Sequence, residues 1–333
     1  MKDFGIVIPY LNSGKYLSTA LMSIVNQEGE STAHVHIQDG GKESLAQTII
    51  DKAIQIADSS RFTFSYARAP DKNAAEAINR GMDLIEAETL TWIGADDFFF
   101  PGAFEAVMSL RQKHPHIQWV TGLPHLVSPS GVGLPSYGSA GFYRHTHGFS
   151  QEGLRRGLHA GELNHGWIQQ EGTFWSRSVW EQVGGLNDEL RLAFDFDLWS
   201  RMAEHATLVE VMMPFAAFRK HPAQASSDMS GYLDEARIVA REIGKREEMA
   251  TTQHRIIEET WTAYFSKDSL QWNLIRKSFV LWIPWSRKPF SLPGLSNLRF
   301  TAARGLRAAT PGRLYLRPLL MLAGRVRRLL NKS

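Results

Sequence analysis

Short apolar runs alternate with amphipathic stretches through the first hundred residues, and that rhythm predicts strand after helix. Phe4-Gly5-Ile6-Val7-Ile8-Pro9-Tyr10 is an apolar run broken by proline. Asn12, Ser13 and Gly14 then mark a turn, and Leu17, Leu21, Ile24 and Val25 recur at helical spacing. Residues 33–38 alternate as a strand should and give way to Asp39-Gly40-Gly41, after which Leu45, Ile49, Ile50, Ala53 and Ile54 outline a helix face. Residues 62–66, a loop carrying Pro70-Asp71-Lys72, and a helix striped by Ala74, Ala77, Ile78, Met82 and Ile85 repeat the unit. A fourth strand, 89–93, runs into Gly94-Ala95-Asp96-Asp97 and a helix starting near Pro101.

Strands and helices in this alternation imply right-handed parallel crossovers, so the chain is expected to be α/β with its strand ends gathered on one edge. Asn12, Asp39, Lys72, Asp96 and Asp97 all fall at such ends. Open α/β sheets bind ligands there, and adjacent hard oxygens suit a divalent cation. Two carboxylates side by side are costly to desolvate unless a cation, a base or several donors offset them. The plainer reading of the pair is a turn with an Asp capping the following helix.

Taken in order, residues 6–12, the turn Gln38-Asp39-Gly40-Gly41, Pro70-Asp71-Lys72 with residues 77–81, and residues 92–101 resemble the motifs of family 2 glycosyltransferases of the GT-A fold, the inverting, bacterial polysaccharide-biosynthesis type. Residues 169–175, 183–186 and 195–199 are similar to that family's acceptor-side region, so the resemblance covers about residues 4–226. It implies a Rossmann-like, mostly parallel sheet flanked by helices. A GT-A catalytic domain would span 1–230, with a donor-binding half to about 125 and an acceptor half from 126, followed by a helical, basic C-terminal extension over 231–333.

The resemblance also implies a reaction, the transfer of a sugar from a UDP-, GDP- or dTDP-linked donor to a hydroxyl of a saccharide or a lipid-linked saccharide. Charge on the departing diphosphate needs neutralising, which Mg²⁺ or Mn²⁺ does as a Lewis acid. By resemblance Asp96 binds that ion, Asp39 contacts the nucleoside, and Pro9, Tyr10 and Asn12 line the base and ribose. Asp97 completes the metal shell through water or fixes the loop. Lys72 pairs with a phosphate or is a solvated loop lysine, and His221 is a metal ligand or a loop residue beside Arg219 and Lys220, either of which could meet phosphate. The family's Asp-x-Asp is Gly94-Ala95-Asp96 in this chain, so the first carboxylate is missing. That loss motivates an alternative, a non-catalytic sugar-nucleotide or glycan-binding relative.

A hydroxyl acceptor needs a base, and Asp195 occupies that position by resemblance. Leu198, Trp199 and Met202 suggest a helix there, on which Asp195 and Asp197 point in different directions and do different work. A single base with in-line displacement implies inversion, whereas glycoside hydrolysis asks for two carboxyl groups. Residues 131–166, rich in glycine, histidine and aromatics, read as a long acceptor loop or an ordinary insertion.

The 333 residues contain no cysteine, which fits a reducing cytoplasm, and the amino terminus leaves no room for a signal peptide before the first strand. Net charge is +3, yet no acidic residue follows Asp268, where thirteen basic residues fall; before it stand 24 basic and 34 acidic residues. Trp and Leu interleave with those basic residues, and no apolar run reaches the ~20 residues of a spanning helix. The expectation is a peripheral contact with an anionic membrane at the inner face of the cell membrane, with no nucleic-acid partner. An amphipathic helix against the chain's own domain or a second subunit competes with it. Residues 232–266, with mixed charges at helical spacing, read as solvated helix.

Overall fold

The computed structural model describes residues 1–11, 14–41, 46–134, 151–157, 168–222, 224, 227–248, 255–266 and 271–282. Asn12, most of the glycine-rich segment and the basic tail beyond 282 lie outside the described residues. The chain runs β1 (Lys2–Tyr10), α1 (Gly14–Val25), β2 (Ala33–Asp39), α2 (Ala46–Ile56), β3 (Phe62–Arg68), α3 (Ala74–Asp83), β4 (Ala87–Trp92), β5 (Phe98–Phe99) and α4 (Ala103–Lys113). It continues with β6 (Trp119–Thr121), β7 (Leu126–Val127), β8 (Gly133–Leu134), α5 (Gln151–Arg155), a 3-10 turn at Gln170–Gly172, β9 (Thr173–Ser176), α6 (Arg177–Val183) and α7 (Phe194–Met202). Last come β10 (Leu208–Val211), β11 (Ala216–Arg219), α8 (Met229–Glu248), β12 (Arg255–Ser266) and β13 (Gln271–Trp282).

The main sheet has nine strands in the order β13-β12-β10-β6-β9-β4-β1-β2-β3. Strands β3, β2, β1 and β4 are mutually parallel, as the crossovers require. Strand β9 is antiparallel to both its neighbours, β4 and β6. A smaller sheet, β5-β11-β7-β8, carries the chain back beside the end of β4.

Alternation along β1 feeds two cores. Phe4, Ile6 and Ile8 pack with α1, α2 and α4, while Val7 packs on the opposite face with α3, α6 and α7. The second core is aromatic. Trp92 stacks on Trp199 with ring centroids 5.9 Å apart and planes 4° apart, Trp199 stacks on Trp119 at 5.6 Å, and Trp175 meets Trp92 edge-on at 5.1 Å. These rings join the strand leading to the Asp pair to the helix bearing Asp195.

One expectation is corrected. Helix α8 accounts for the mixed-charge stretch to residue 248, but 255–266 and 271–282 are strands, not part of a helical extension. Strand β12 pairs in parallel with β10 and antiparallel with β13, so the main sheet continues past residue 230. Ile256, Ile257, Thr260, Trp261, Thr262, Tyr264 and Phe265 are β-branched or aromatic, and their strand pairs along its length with β13 and, at residues 261–263, with the edge of β10.

Two outcomes follow from this packing. Trp199→Ala is expected to cost about 3–5 kcal/mol in urea unfolding, because it leaves a cavity between two rings. His34 Nε2 and His36 Nδ1 each lie 2.8 Å from Ser65 Oγ. Burial, above all, lowers both pKa values below 6.5. The folded state therefore binds fewer protons than the unfolded chain, so this stability is complete above 6.5 and is lost as pH falls through 6.5 toward the lowered values. The urea midpoint should drop between about pH 7.5 and about pH 5.5, and drop less in His36→Gln; equal midpoints for the native chain would contradict the assignment.

Candidate functional site

The register places the expected strand ends on one edge. Tyr10 lies opposite Asp39, and β4 ends with Trp92 opposite Val7, so residues 93–97 continue upward beside β1. Two strand spacings separate β2 from β4, about 10 Å.

Asp39 is fully buried, with Oδ1 accepting from the Gly41 N–H at 2.8 Å and Oδ2 from the Tyr66 hydroxyl at 2.7 Å. Its loop is held to β1 by the Gly40 N–H, which donates to the Tyr10 carbonyl at 3.1 Å. Asp71 lies close by, paired with Arg80 at 2.9 Å, and its carboxyl is pushed up chiefly by burial despite that arginine. Pro9 is half-buried and Tyr10 is buried in this wall.

The acid turn is built by long-range bonds to β11. The Arg219 N–H donates to Asp97 Oδ1 and its Nε to the Asp96 carbonyl, both at 2.7 Å, while Nη1 reaches the Pro129 carbonyl at 3.0 Å. Its guanidinium lies over the rings of Tyr16 at 4.7 Å and Phe98 at 5.4 Å. Arg219 is therefore a buried strut, with its Nε and Nη1 on carbonyl oxygens and its plane over two rings. Asp97 is 3% exposed beneath the turn, so its position is that of a loop anchor.

Asp96 alone of the pair reaches the surface. His221 Nε2 lies 2.7 Å from Asp96 Oδ2, and the His221 ring leans on Tyr16 at 5.2 Å between centroids. An imidazole nitrogen and a carboxylate oxygen meeting from separate elements form a donor set suited to Mn²⁺ or Mg²⁺. Among the described residues no group of three such side chains assembles. The pair therefore fits a cation that takes its remaining ligands from a bound substrate or water.

Gly94 now has a physical account. A Cβ there would lie 2.6 Å from Asp97 Oδ2 and 2.7 Å from Asp96 Oδ1, two carboxylates already held by Arg219 and His221. The turn folds back on itself, and a side chain at 94 would displace both.

Glu171, inside the 169–175 stretch and not among the expected site residues, lies near enough to Asp96, Asp97 and Asp195 to share charge interactions with them. It is 4% exposed in the 3-10 turn before β9 and accepts from Gln170 Nε2 at 2.6 Å. Burial, then the charges of Asp96 and Asp195, push its carboxyl up to about 7. Asp97 is raised well above the carboxylate range by burial and then by Glu171 and Asp96. Because β9 is antiparallel, its start shares the edge where β4 and β6 end. The signal available in the sequence was a carboxylate directly preceding Gly172-Thr173-Phe174-Trp175; a parallel sheet would have put it on the far edge.

Asp195 stands in the first turn of α7 and is half-buried. Burial raises its pKa to about 6, against hydrogen bonds from the Phe196 N–H at 2.8 Å and the Tyr232 hydroxyl at 3.0 Å. Asp197 turns away and pairs with Arg201 Nε at 2.8 Å, so the two carboxylates do differ in their work. Lys72 is an exposed loop lysine with two acidic neighbours. It pairs with Glu189 at 2.5 Å and Asp188 at 3.7 Å, and Asn73 Nδ2 donates to the Asp188 carbonyl at 2.7 Å. Asn79 exchanges two hydrogen bonds with the Leu186 backbone, and Gly185 at φ 82° allows that approach. The structure thus brings Asp96, Asp97, His221 and Asp195 around Glu171, sets Asp39 two strands along the same edge, and uses Lys72 to tie the loop before α7 to the donor-side half.

Residues 5–128 match the model of Glycosyl transferase family 2. An uncharacterized glycosyltransferase of Rickettsia typhi (strain ATCC VR-144 / Wilmington) is 22% identical over 232 residues, 69% of this chain and 68% of the relative. One from Rickettsia felis (strain ATCC VR-1525 / URRWXCal2) is 21% identical over 236 residues, and the chain spans only 37% of its length. Among solved structures, S. aureus TarS 1–349 in complex with UDP-GlcNAc has a TM-score of 0.54 at 14% identity, covering 72% of this chain and 66% of that one. TarS 1–349 without that sugar nucleotide in its description has a TM-score of 0.50 at 13% identity, covering 71% and 65%. At such identity the likeness to TarS is one of fold.

Gly94→Ala tests the folded-back turn. It is expected to lose roughly 1–3 kcal/mol in urea unfolding, as overpacking does. A stability equal to the parent would mean that the two carboxylates move aside freely.

Proposed function

We propose that this chain, whose residues 5–128 match the model of Glycosyl transferase family 2, works as a glycosyltransferase of the GT-A fold that moves a sugar from a nucleotide diphosphate to a hydroxyl of a saccharide or lipid-linked saccharide, with inversion at the anomeric carbon. The observation that carries the reading is that Asp96 with His221 and the raised carboxyl of Asp195 converge on Glu171 from three separate parts of the chain.

Asp39, Pro9, Tyr10 and Asn12 would receive the nucleoside, with the Asp39 carboxylate fixed in place by Gly41 and Tyr66. A UDP-linked donor is the first to assay, ahead of GDP- and dTDP-linked ones, because the TarS complex holds UDP-GlcNAc. Asp96 and His221 would hold Mg²⁺ or Mn²⁺. When bound, the ion supplies charge neutralisation for the departing diphosphate. Asp195, with its pKa at about 6, is ionised at neutral pH and still basic enough to take the acceptor hydroxyl proton as the bond forms. Glu171 is buried and has no open face toward a glycosidic oxygen, which leaves one working base and favours inversion over hydrolysis. A non-catalytic binding relative had its motive in Gly94. The folded-back turn explains that glycine without any loss of chemistry.

Among the described residues no helix is long and apolar enough to cross a membrane. The proposal includes a peripheral role at the inner face of the cell membrane for the tail, supported by its basic and apolar composition. Sedimentation with anionic liposomes should be lost on truncation after Ile283, which keeps β12 and β13; undiminished sedimentation would remove the tail from the proposal.

Asp195→Asn is expected to lower the rate of nucleotide release by about 10²–10⁴-fold with nucleotide binding retained in a thermal-shift assay. In the parent, activity should fall as pH drops through about 6, because protonated Asp195 cannot accept a proton. The thermal shift given by UDP should grow with Mn²⁺, and that increment should vanish in Asp96→Asn and His221→Ala. Full turnover in Asp195→Asn would discard the base assignment.

A further inference from the structure

We propose that α8 is a positioning element for the base, with Tyr232 orienting the Asp195 carboxyl and Glu235 holding the loop that delivers it. This rests on the reading of Asp195 as the base and names the parts that make it one.

Helix α7 begins poorly by its own means. Its N-cap is Ala193, which offers no side-chain acceptor for the free N–H groups of the first turn. Glu235, from α8, instead holds the loop that leads into the helix. Its Oε2 accepts from the Leu192 N–H at 2.8 Å and the Ala193 N–H at 2.9 Å, and its Oε1 from the Arg191 N–H at 3.2 Å. A carboxylate at a helix N-terminus is also favoured by the helix dipole. Ala236 and Val239 pack with Ala193 and Phe196, and Arg191 pairs with Asp228 at 2.8 Å, so α8 is seated against the same loop.

Tyr232 lies three residues before Glu235, on the same side of α8. Its hydroxyl donates to Asp195 Oδ1 at 3.0 Å, the oxygen that also accepts from the Phe196 N–H. Both bonds fall on Oδ1, which leaves Oδ2 to face an incoming hydroxyl. The side chain that acts on Asp195 is Tyr232 from α8; the nearby carboxylates are Glu235, whose charge acts on Tyr232, and Glu171 in the turn before β9, on which the charge of Asp195 acts. Asp197 on the same helix is taken up by Arg201. Tyr232 is the one neutral donor among these neighbours, and its own ionisation is pushed well up by burial and then by Asp195, so it stays a donor throughout the working range. Burial disfavours ionised Asp195, while the tyrosine bond favours it. Removing that bond should raise the pH at which the base becomes available.

The test is a carboxyl-carbon NMR titration of the full chain, with Asp195→Asn identifying the resonance. In the parent the midpoint is expected at about 6. In Tyr232→Phe it should move upward, and the acid limb of nucleotide release from UDP-GlcNAc should move with it while the rate at alkaline pH is largely recovered. A merely structural role would lower the rate equally at all pH values. An unmoved midpoint in folded Tyr232→Phe overturns the proposal. Glu235→Ala gives an independent reading: amide hydrogen exchange at 191–193 should quicken roughly tenfold or more, and unchanged exchange overturns the role of Glu235. A shifted midpoint together with undiminished release in Asp195→Asn overturns the base assignment alone.

Discussion

The acid turn exists because Arg219 holds it. Four residues ending in two carboxylates would not stay folded back at a strand end through local forces, since desolvation and repulsion both oppose it. Arg219 answers with a backbone N–H on Asp97, a guanidinium nitrogen on the Asp96 carbonyl and its plane over Tyr16 and Phe98. Its Nη1 reaches the Pro129 carbonyl. One side chain on β11 thus joins the smaller sheet to the main one and leaves only Asp96 facing outward, beside His221.

Beneath that turn the balance is electrostatic. Glu171 and Asp97 are both nearly excluded from water; the charge of Glu171 raises the pKa of Asp97, and those of Asp96 and Asp195 raise that of Glu171. They cannot comfortably carry two full charges together, so the interior contributes less negative charge than the sequence suggests. Asp96 is left as the exposed anion of the group. The antiparallel insertion of β9 between β4 and β6 creates this arrangement, and the stacked tryptophans on the other face of the sheet fix its register.

Asp195 is held from two directions. Lys72, Asn73 and Asn79 grip residues 186–190 from the donor-side half, and Glu235 with Tyr232 grip residues 191–195 from α8. One short loop is thus held by hydrogen bonds and ion pairs from both sides, Lys72 adding its pairs with Glu189 and Asp188.

Local pattern alone gave the alternation of β1 to β4 with their helices, the carboxylates at the strand ends, and the separate duties of Asp195 and Asp197 on a helix. Those follow from side-chain period and turn chemistry, which act over a few residues. Residue pairs such as Asp97 with Arg219, Asp96 with His221 and Asp195 with Tyr232 lie 37 to 125 positions apart and left no periodic trace. Glu171 escaped notice because its place depends on the direction of β9, and strand direction is chosen by pairing partners. The strands after α8 were hidden by charged helix-like spacing just before them, until an open edge on β10 supplied the hydrogen bonds that made extension favourable. Sequence set the elements and their chemistry; only folding decided which charges share an interior, because desolvation and pairing depend on neighbours brought from afar.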